Sequence, residues 1–96
     1  MLMLISYDVS TVNAEGKRRL RLIAKECVNY GQRVQNSVFE INTDYATIIK
    51  LKARLVGIMD KMQDSLRFYH LGNKWQNKVE HIGIKASYNP EEALIV

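Results

Sequence analysis

The apolar patterns of this 96-residue chain predict an α+β sandwich of ferredoxin-like type, an antiparallel sheet with two helices on one face. Two observations carry the prediction. Segments with strand character and segments with helical apolar spacing follow one another as strand, helix, extended segment, helix, strand, strand. A chain of 96 residues can also enclose only one hydrophobic core, so residues 1–96 are expected to form a single domain.

Residues 2–7 are apolar apart from Ser6 and run into the polar "DVSTVN", as expected of a short buried strand that opens into a loop at Asp8. From Ala14 to about Tyr30, Leu20, Ile23, Ala24 and Cys27 recur at helical spacing, with Asn13 or Thr11 as N-cap and Gly31 as the stop. "RVQNSVFEIN", 33–42, alternates polar and apolar residues and is extended, either as one strand or as two short ones bent near Asn36 and Ser37. Asp44 then caps a second helix whose buried stripe is Ile48, Leu51, Leu55, Ile58, Met59 and Met62, the methionines filling the core. "SLRFYHL", 65–71, and "VEHIGI", 79–84, read as two further extended segments, separated by the turn-like "GNK". The end of the chain, "NPEEALIV", finishes on four apolar residues. Two helices on one face leave the other face of the sheet and this tail uncovered, which predicts a two-fold homodimer. Its sheets would meet face to face, or the tail would add a strand to the partner's edge.

Composition narrows the class. With 47% hydrophobic and 25% charged residues the chain belongs with folded globular proteins. The single cysteine, Cys27, excludes an internal disulfide, and no cysteines and histidines have zinc-site spacing, which fits a reducing cytoplasm. The N-terminus lacks the basic region and cleavage site of a signal peptide, and no apolar run approaches the about 20 residues of a membrane helix; a soluble, cytoplasmic protein without membrane contact is expected. Nucleophile-elbow, P-loop and dinucleotide glycine patterns are absent, which argues against a nucleotide cofactor. The aromatic signature of RNA-recognition motifs is also missing, which disfavours base stacking on the sheet.

The net charge of +4 is concentrated. Residues 14–33 hold six bases against two acids, Glu15 and Glu26, while the remaining eight bases and eight acids cancel. At 100° per residue, Lys17, Arg18, Arg21 and Lys25 fall opposite the apolar stripe of the first helix, so a basic surface faces outward, suited to a polyanion.

The chemistry-bearing residue of most interest is Asp8, a lone acid at the end of the first strand. Paired carboxylates can hold a magnesium ion that activates water for phosphodiester cleavage, and a dimer axis near the end of that strand would bring in the partner's Asp8 as the second acid. Lys17, Arg18, Arg19 and Arg33 would then hold the nucleic-acid backbone. The alternative is a structural cap, with Asp8 hydrogen-bonded to amides of the "VST" turn. Glu40 fits a solvent-facing strand position, His70 and His81 lie in strand-like segments without a metal-spaced partner, and Cys27 sits on the apolar stripe of the first helix.

Taken as a set, "LISYDV", "KRRLRLIAK…YGQRVQNSVFE", "DSLRFYHLG", "VEHIG" and the apolar terminal "LIV" resemble the CRISPR-associated Cas-two family, most of all its subtype I-C members. The resemblance spans nearly the whole chain, and "RVQNSVFE" is its most specific stretch. It implies a ferredoxin-like homodimer that joins the larger Cas-one integrase in capturing foreign DNA and inserting it as spacers. It also implies a magnesium-dependent endonuclease acting on double-stranded DNA or single-stranded RNA. By resemblance, Asp8 is the metal aspartate, with Tyr7 beside it as a catalytic residue. Lys17, Arg18, Arg19, Arg33, Ser37 and Phe39 are the nucleic-acid contacts. Two alternatives stand beside this: a DNA-binding scaffold that cuts nothing, and a toxin ribonuclease of the virulence-associated D kind.

Overall fold

The computed structural model describes residues 1–71 and 78–84. They form β1 (Leu2–Asp8), α1 (Ala14–Tyr30), β2 (Gln32–Gln35), β3 (Val38–Asn42), α2 (Tyr45–Ile58), β4 (Ser65–His70) and β5 (Lys78–Gly83). The strands make one sheet in the order β2-β3-β1-β4-β5, every neighbouring pair antiparallel. This is the predicted α+β sandwich. The "GNK" turn and the "NPEEALIV" tail lie outside the described residues. Among the described residues, no helix is long and apolar enough to cross a membrane.

Each helix begins where a side chain satisfies its free amides. Asn13 Oδ1 accepts from the Gly16 N–H at 2.8 Å, so Asn13 rather than Thr11 caps α1. Asp44 Oδ1 accepts from the Thr47 N–H at 2.7 Å at the start of α2. Gly31 ends α1 in extended backbone, its N–H donating to the Cys27 carbonyl. The 33–42 segment resolves into the β2–β3 hairpin, turning at Asn36 and Ser37, with a register shift between Arg33 and Gln35.

Alternation along the strands separates two faces. Met3, Ile5, Tyr7, Phe39, Ile41, Leu66 and Phe68 point toward the helices and form the core with Ile23, Cys27, Ile48, Leu51 and Leu55. Burial pushes the Cys27 thiol up to about 12, with neighbouring Glu26 adding to the effect, so it is protonated and inert near neutral pH. Met62 departs from the expectation for the second helix. The backbone turns extended at Met59, and residues beyond it wrap around the Asp60 carboxylate, which accepts from the Met62 N–H and the Gln63 amide. Met59 therefore packs in the core, whereas Met62 is 83% exposed.

Among the described residues, no helix lies on the other sheet face. The register aligns Glu40, Leu4, Tyr69 and Val79 in one row across it, and Val38, Ser6, Arg67 and His81 in the next. Beyond these rows, Asp8 faces Ser65, which faces Gly83.

Candidate functional site

Asp8 is the last residue of β1 and shares the open face with Leu4 and Ser6. It lines a shallow cleft of about 70 Å³ together with Ser6, Tyr7, Ser65, Arg67 and Ile84. The cap hydrogen bonds that would explain Asp8 structurally are absent: among the described residues its carboxylate has no hydrogen bond or ion pair. The loop after β1 is instead held by Asp64, whose Oδ1 accepts from the Ser10 N–H at 3.0 Å.

Asp64 is the buried carboxylate of the molecule's described core, 0% exposed. Its Oδ2 also accepts from the Asp60 N–H at 2.9 Å and from Arg19 Nε at 2.8 Å. Burial alone would raise its pKa, but the Arg19 guanidinium and the Asp60 and Ser10 amides outweigh that and hold it below the usual carboxylate range. Two glycines permit the packing around it. A Cβ on Gly16 would lie 1.8 Å from the Ser10 carbonyl oxygen, so only glycine lets the first turn of α1 touch this loop. Gly83 has φ +107°, and a Cβ there would meet the Asp64 carbonyl oxygen at 2.0 Å.

These interactions redistribute the residues singled out from the sequence. Lys17, Arg18, Arg21 and Lys25 are exposed on α1, as its periodicity predicts. Arg19 is not part of that surface: its side chain is 14% exposed and bound to Asp64. The hydrogen bond to Asp64 raises the Arg19 pKa further, and the contact clamps α1 to the loops flanking Asp8. Phe39 is 0% exposed and cannot contact a nucleic acid. Its position in β3 turns it toward the helices, where its ring stacks on Tyr7 at 6.1 Å and lies beneath the Arg33 guanidinium at 5.1 Å. Tyr7, 4% exposed, also faces the helix side, and its hydroxyl donates to the Asn36 carbonyl at 3.2 Å. Burial raises its pKa. The structure thus separates the Tyr7 hydroxyl from the Asp8 carboxylate, because consecutive strand residues point to opposite faces. Ser37, half-buried in the hairpin turn, accepts from the Tyr7 N–H at 3.1 Å through its carbonyl, and Arg33 is exposed on the edge strand. Glu40 is solvent-facing, as expected.

Sequence reasoning missed Arg67 and Asp64. Arg67 lies on β4 opposite Ser6, and its Nε–H donates to His81 Nδ1 at 3.2 Å. The only hint in the sequence is a base alternating with apolar residues in "SLRFY", which does not reveal which strand lies beside it.

Among the described residues no group of three or more histidine, cysteine, aspartate or glutamate side chains could enclose a metal. An exposed, unengaged Asp8 nevertheless suits magnesium, which keeps several waters and takes one or two protein carboxylates plus substrate phosphate.

The family model described as CRISPR associated protein Cas2 matches residues 1–79. Over 96 residues, covering 100% of this chain and 94% of the relative, the chain is 60% identical to the CRISPR-associated endoribonuclease Cas2 of Nitratidesulfovibrio vulgaris. It is 54% identical over 95 residues to the CRISPR-associated endonuclease Cas2 of Halalkalibacterium halodurans, covering 99% of each. The crystal structure of Streptococcus pyogenes Cas2 superposes with a TM-score of 0.70 at 53% identity, covering 79% of this chain and 92% of that one. Sequence along nearly the whole chain and the order of strands and helices agree, and on both grounds the chain belongs to the CRISPR associated protein Cas2 family.

Proposed function

We propose that this protein is a cytoplasmic, homodimeric, magnesium-dependent endonuclease that works beside the Cas-one integrase in acquiring CRISPR spacers. The observation that carries the reading is the unengaged Asp8 carboxylate at the end of β1, with the capping role it could have served taken by Asp64. Related proteins are named endoribonuclease and endonuclease, which supports phosphodiester cleavage as the chemistry.

Asp8, paired with the partner's copy across a two-fold axis, would hold the metal. When bound, magnesium supplies a polarised water and positive charge at the phosphate. In the hydrolysis a water oxygen bonds to phosphorus, the bond to the leaving oxygen breaks, and the proton released by the water ends on that leaving group. Lys17, Arg18, Arg21 and Lys25 carry the adjoining phosphates of double-stranded DNA or single-stranded RNA.

A second reading, a scaffold that spaces integrase units without cutting, is favoured by Asp8 being the one carboxylate among the described residues that line the cleft. Family membership weighs against the toxin-ribonuclease alternative. Cleavage of linear duplex DNA and single-stranded RNA, with magnesium or with chelator, tests the two on wild type and Asp8→Asn purified identically. Magnesium-dependent cutting that falls at least about 100-fold in Asp8→Asn is expected. Equal activity in both proteins, or none in either, leaves the scaffold.

A further inference from the structure

Among the described residues, the strand register gives Asp8 a single partner, Ser65, the first residue of β4, which lines the same cleft. Leu66 and Phe68 point toward the helices, so alternation sends the Ser65 side chain to the open face beside Asp8. Side chains directly opposite each other on antiparallel strands start about 5 Å apart. Ser65 is only 8% exposed, yet its hydroxyl, like the Asp8 carboxylate, makes no hydrogen bond to a described residue. Buried hydroxyls are ordinarily bonded, because burial costs them their water. On the wall of the cleft this one keeps a donor and two acceptor positions for whatever occupies the space next to Asp8.

Asp64 fixes the spacing of the two groups. Its carboxylate accepts from the Ser10 N–H at 3.0 Å, two residues beyond Asp8, and its main chain runs directly into Ser65. The Asp64 N–H donates to the Asp60 carbonyl at 2.7 Å, and its carbonyl accepts from the Ile84 N–H at 3.0 Å. One buried residue therefore ties the strand end that bears Asp8 to the strand start that bears Ser65. The fold is held by Asp64, which leaves the Asp8 carboxylate and the Ser65 hydroxyl side by side for a ligand.

We propose that Ser65 is a positioning residue of the magnesium site at Asp8, its hydroxyl oxygen accepting a hydrogen bond from a water in the ion's shell. This rests on reading Asp8 as the metal carboxylate and adds the group that orients the hydrated ion on it. Magnesium gives up its waters reluctantly, so a site with few protein ligands must bind the waters as well as the ion. Asp8 supplies charge, and Ser65 supplies direction. Outer partners of this kind are worth about 10–100-fold in metal affinity or activity.

The test is ion binding by the full chain without nucleic acid, so that it does not depend on cleavage. Manganese serves as the probe, read through the electron paramagnetic resonance of the free ion, and competition by magnesium establishes that the two share the site. Asp8→Asn should abolish the binding. Ser65→Ala is expected to weaken it about 10-fold while melting close to wild type, and Ser65→Thr, which keeps the hydroxyl, should restore most of the affinity. Ser6→Ala, on the same face but one pair further along the strand, should cost less than Ser65→Ala. Where cleavage is measurable, Ser65→Ala should need about 10-fold more magnesium for half its maximal rate. A purely structural Ser65 would shift the melt and leave the ion affinity alone. Thermal melts identify any variant that fails to fold; if Ser65→Thr does, Ser65→Ala decides. Wild-type ion affinity in Ser65→Ala, beside a loss in Asp8→Asn, would overturn the inference and leave the Asp8 reading intact, as would a folded Ser65→Thr that binds as weakly as Ser65→Ala. Ion binding equal in wild type and Asp8→Asn, or absent from both, would overturn the two together.

Discussion

Asp64 and Arg19 illustrate how a charge in the sequence can be mistaken for a surface feature. Arg19 belongs to the run "KRRLR", and only its pairing with a buried acid 45 residues away makes it structural. The pairing has a pH signature. Asp64 is held below the ordinary carboxyl value of about 3.9 in the folded state, so its stabilisation is complete above that value and is lost as the pH falls through the folded pKa. Asp64→Asn should therefore cost about 3 kcal/mol near pH 7, and the gap to wild type should narrow below about pH 4. Denaturant melts of both proteins across this range provide the measurement. A gap of constant size would assign the effect to shape rather than charge.

Helix α1 does two jobs on two sides. Ile23 and Cys27 pack inward, while Lys17, Arg18, Arg21 and Lys25 stay in solvent. The close approach of Gly16 to Ser10 sets the start of this basic surface against the loop that follows Asp8. Neutralising Arg18 and Arg21 together should weaken duplex binding regardless of sequence and reduce the salt slope by up to about 2, at a melting temperature near that of wild type. Arg19→Gln should do the reverse, lowering the melting temperature with a smaller change in slope. Titrations at several salt concentrations, beside thermal melts, separate the two behaviours. A duplex affinity diminished mainly in Arg19→Gln would return that residue to the binding surface.

For the whole molecule, the open face of the sheet is where the proposed homodimer would assemble. Leu2, Leu4, Val38 and Tyr69 share it with the Asp8 cleft, and no described helix covers it. A homodimer in solution is expected, and deleting Ala93–Val96 should raise its dissociation constant at least about 10-fold, measured by sedimentation. Wild-type mass at every concentration in the truncated protein would exclude the tail from the interface.

Much of this architecture was legible because local rules produce it. An apolar run marked β1, alternation marked the 33–42 segment, the spacing of Leu20, Ile23 and Cys27 marked α1, and Asn13 and Asp44 marked the helix starts, since each of these depends on neighbours a few residues away. The basic surface of α1 and the exposed end of β1 at Asp8 were readable for the same reason. Tertiary structure decided what each polar group meets. It buried Phe39 and the Tyr7 hydroxyl on the helix side, gave the loop cap to Asp64, took Arg19 from the surface, and brought Arg67 from a distant strand into the Asp8 cleft. Strand order and register create those meetings, and they arise from the packing of segments tens of residues apart, which no local pattern encodes.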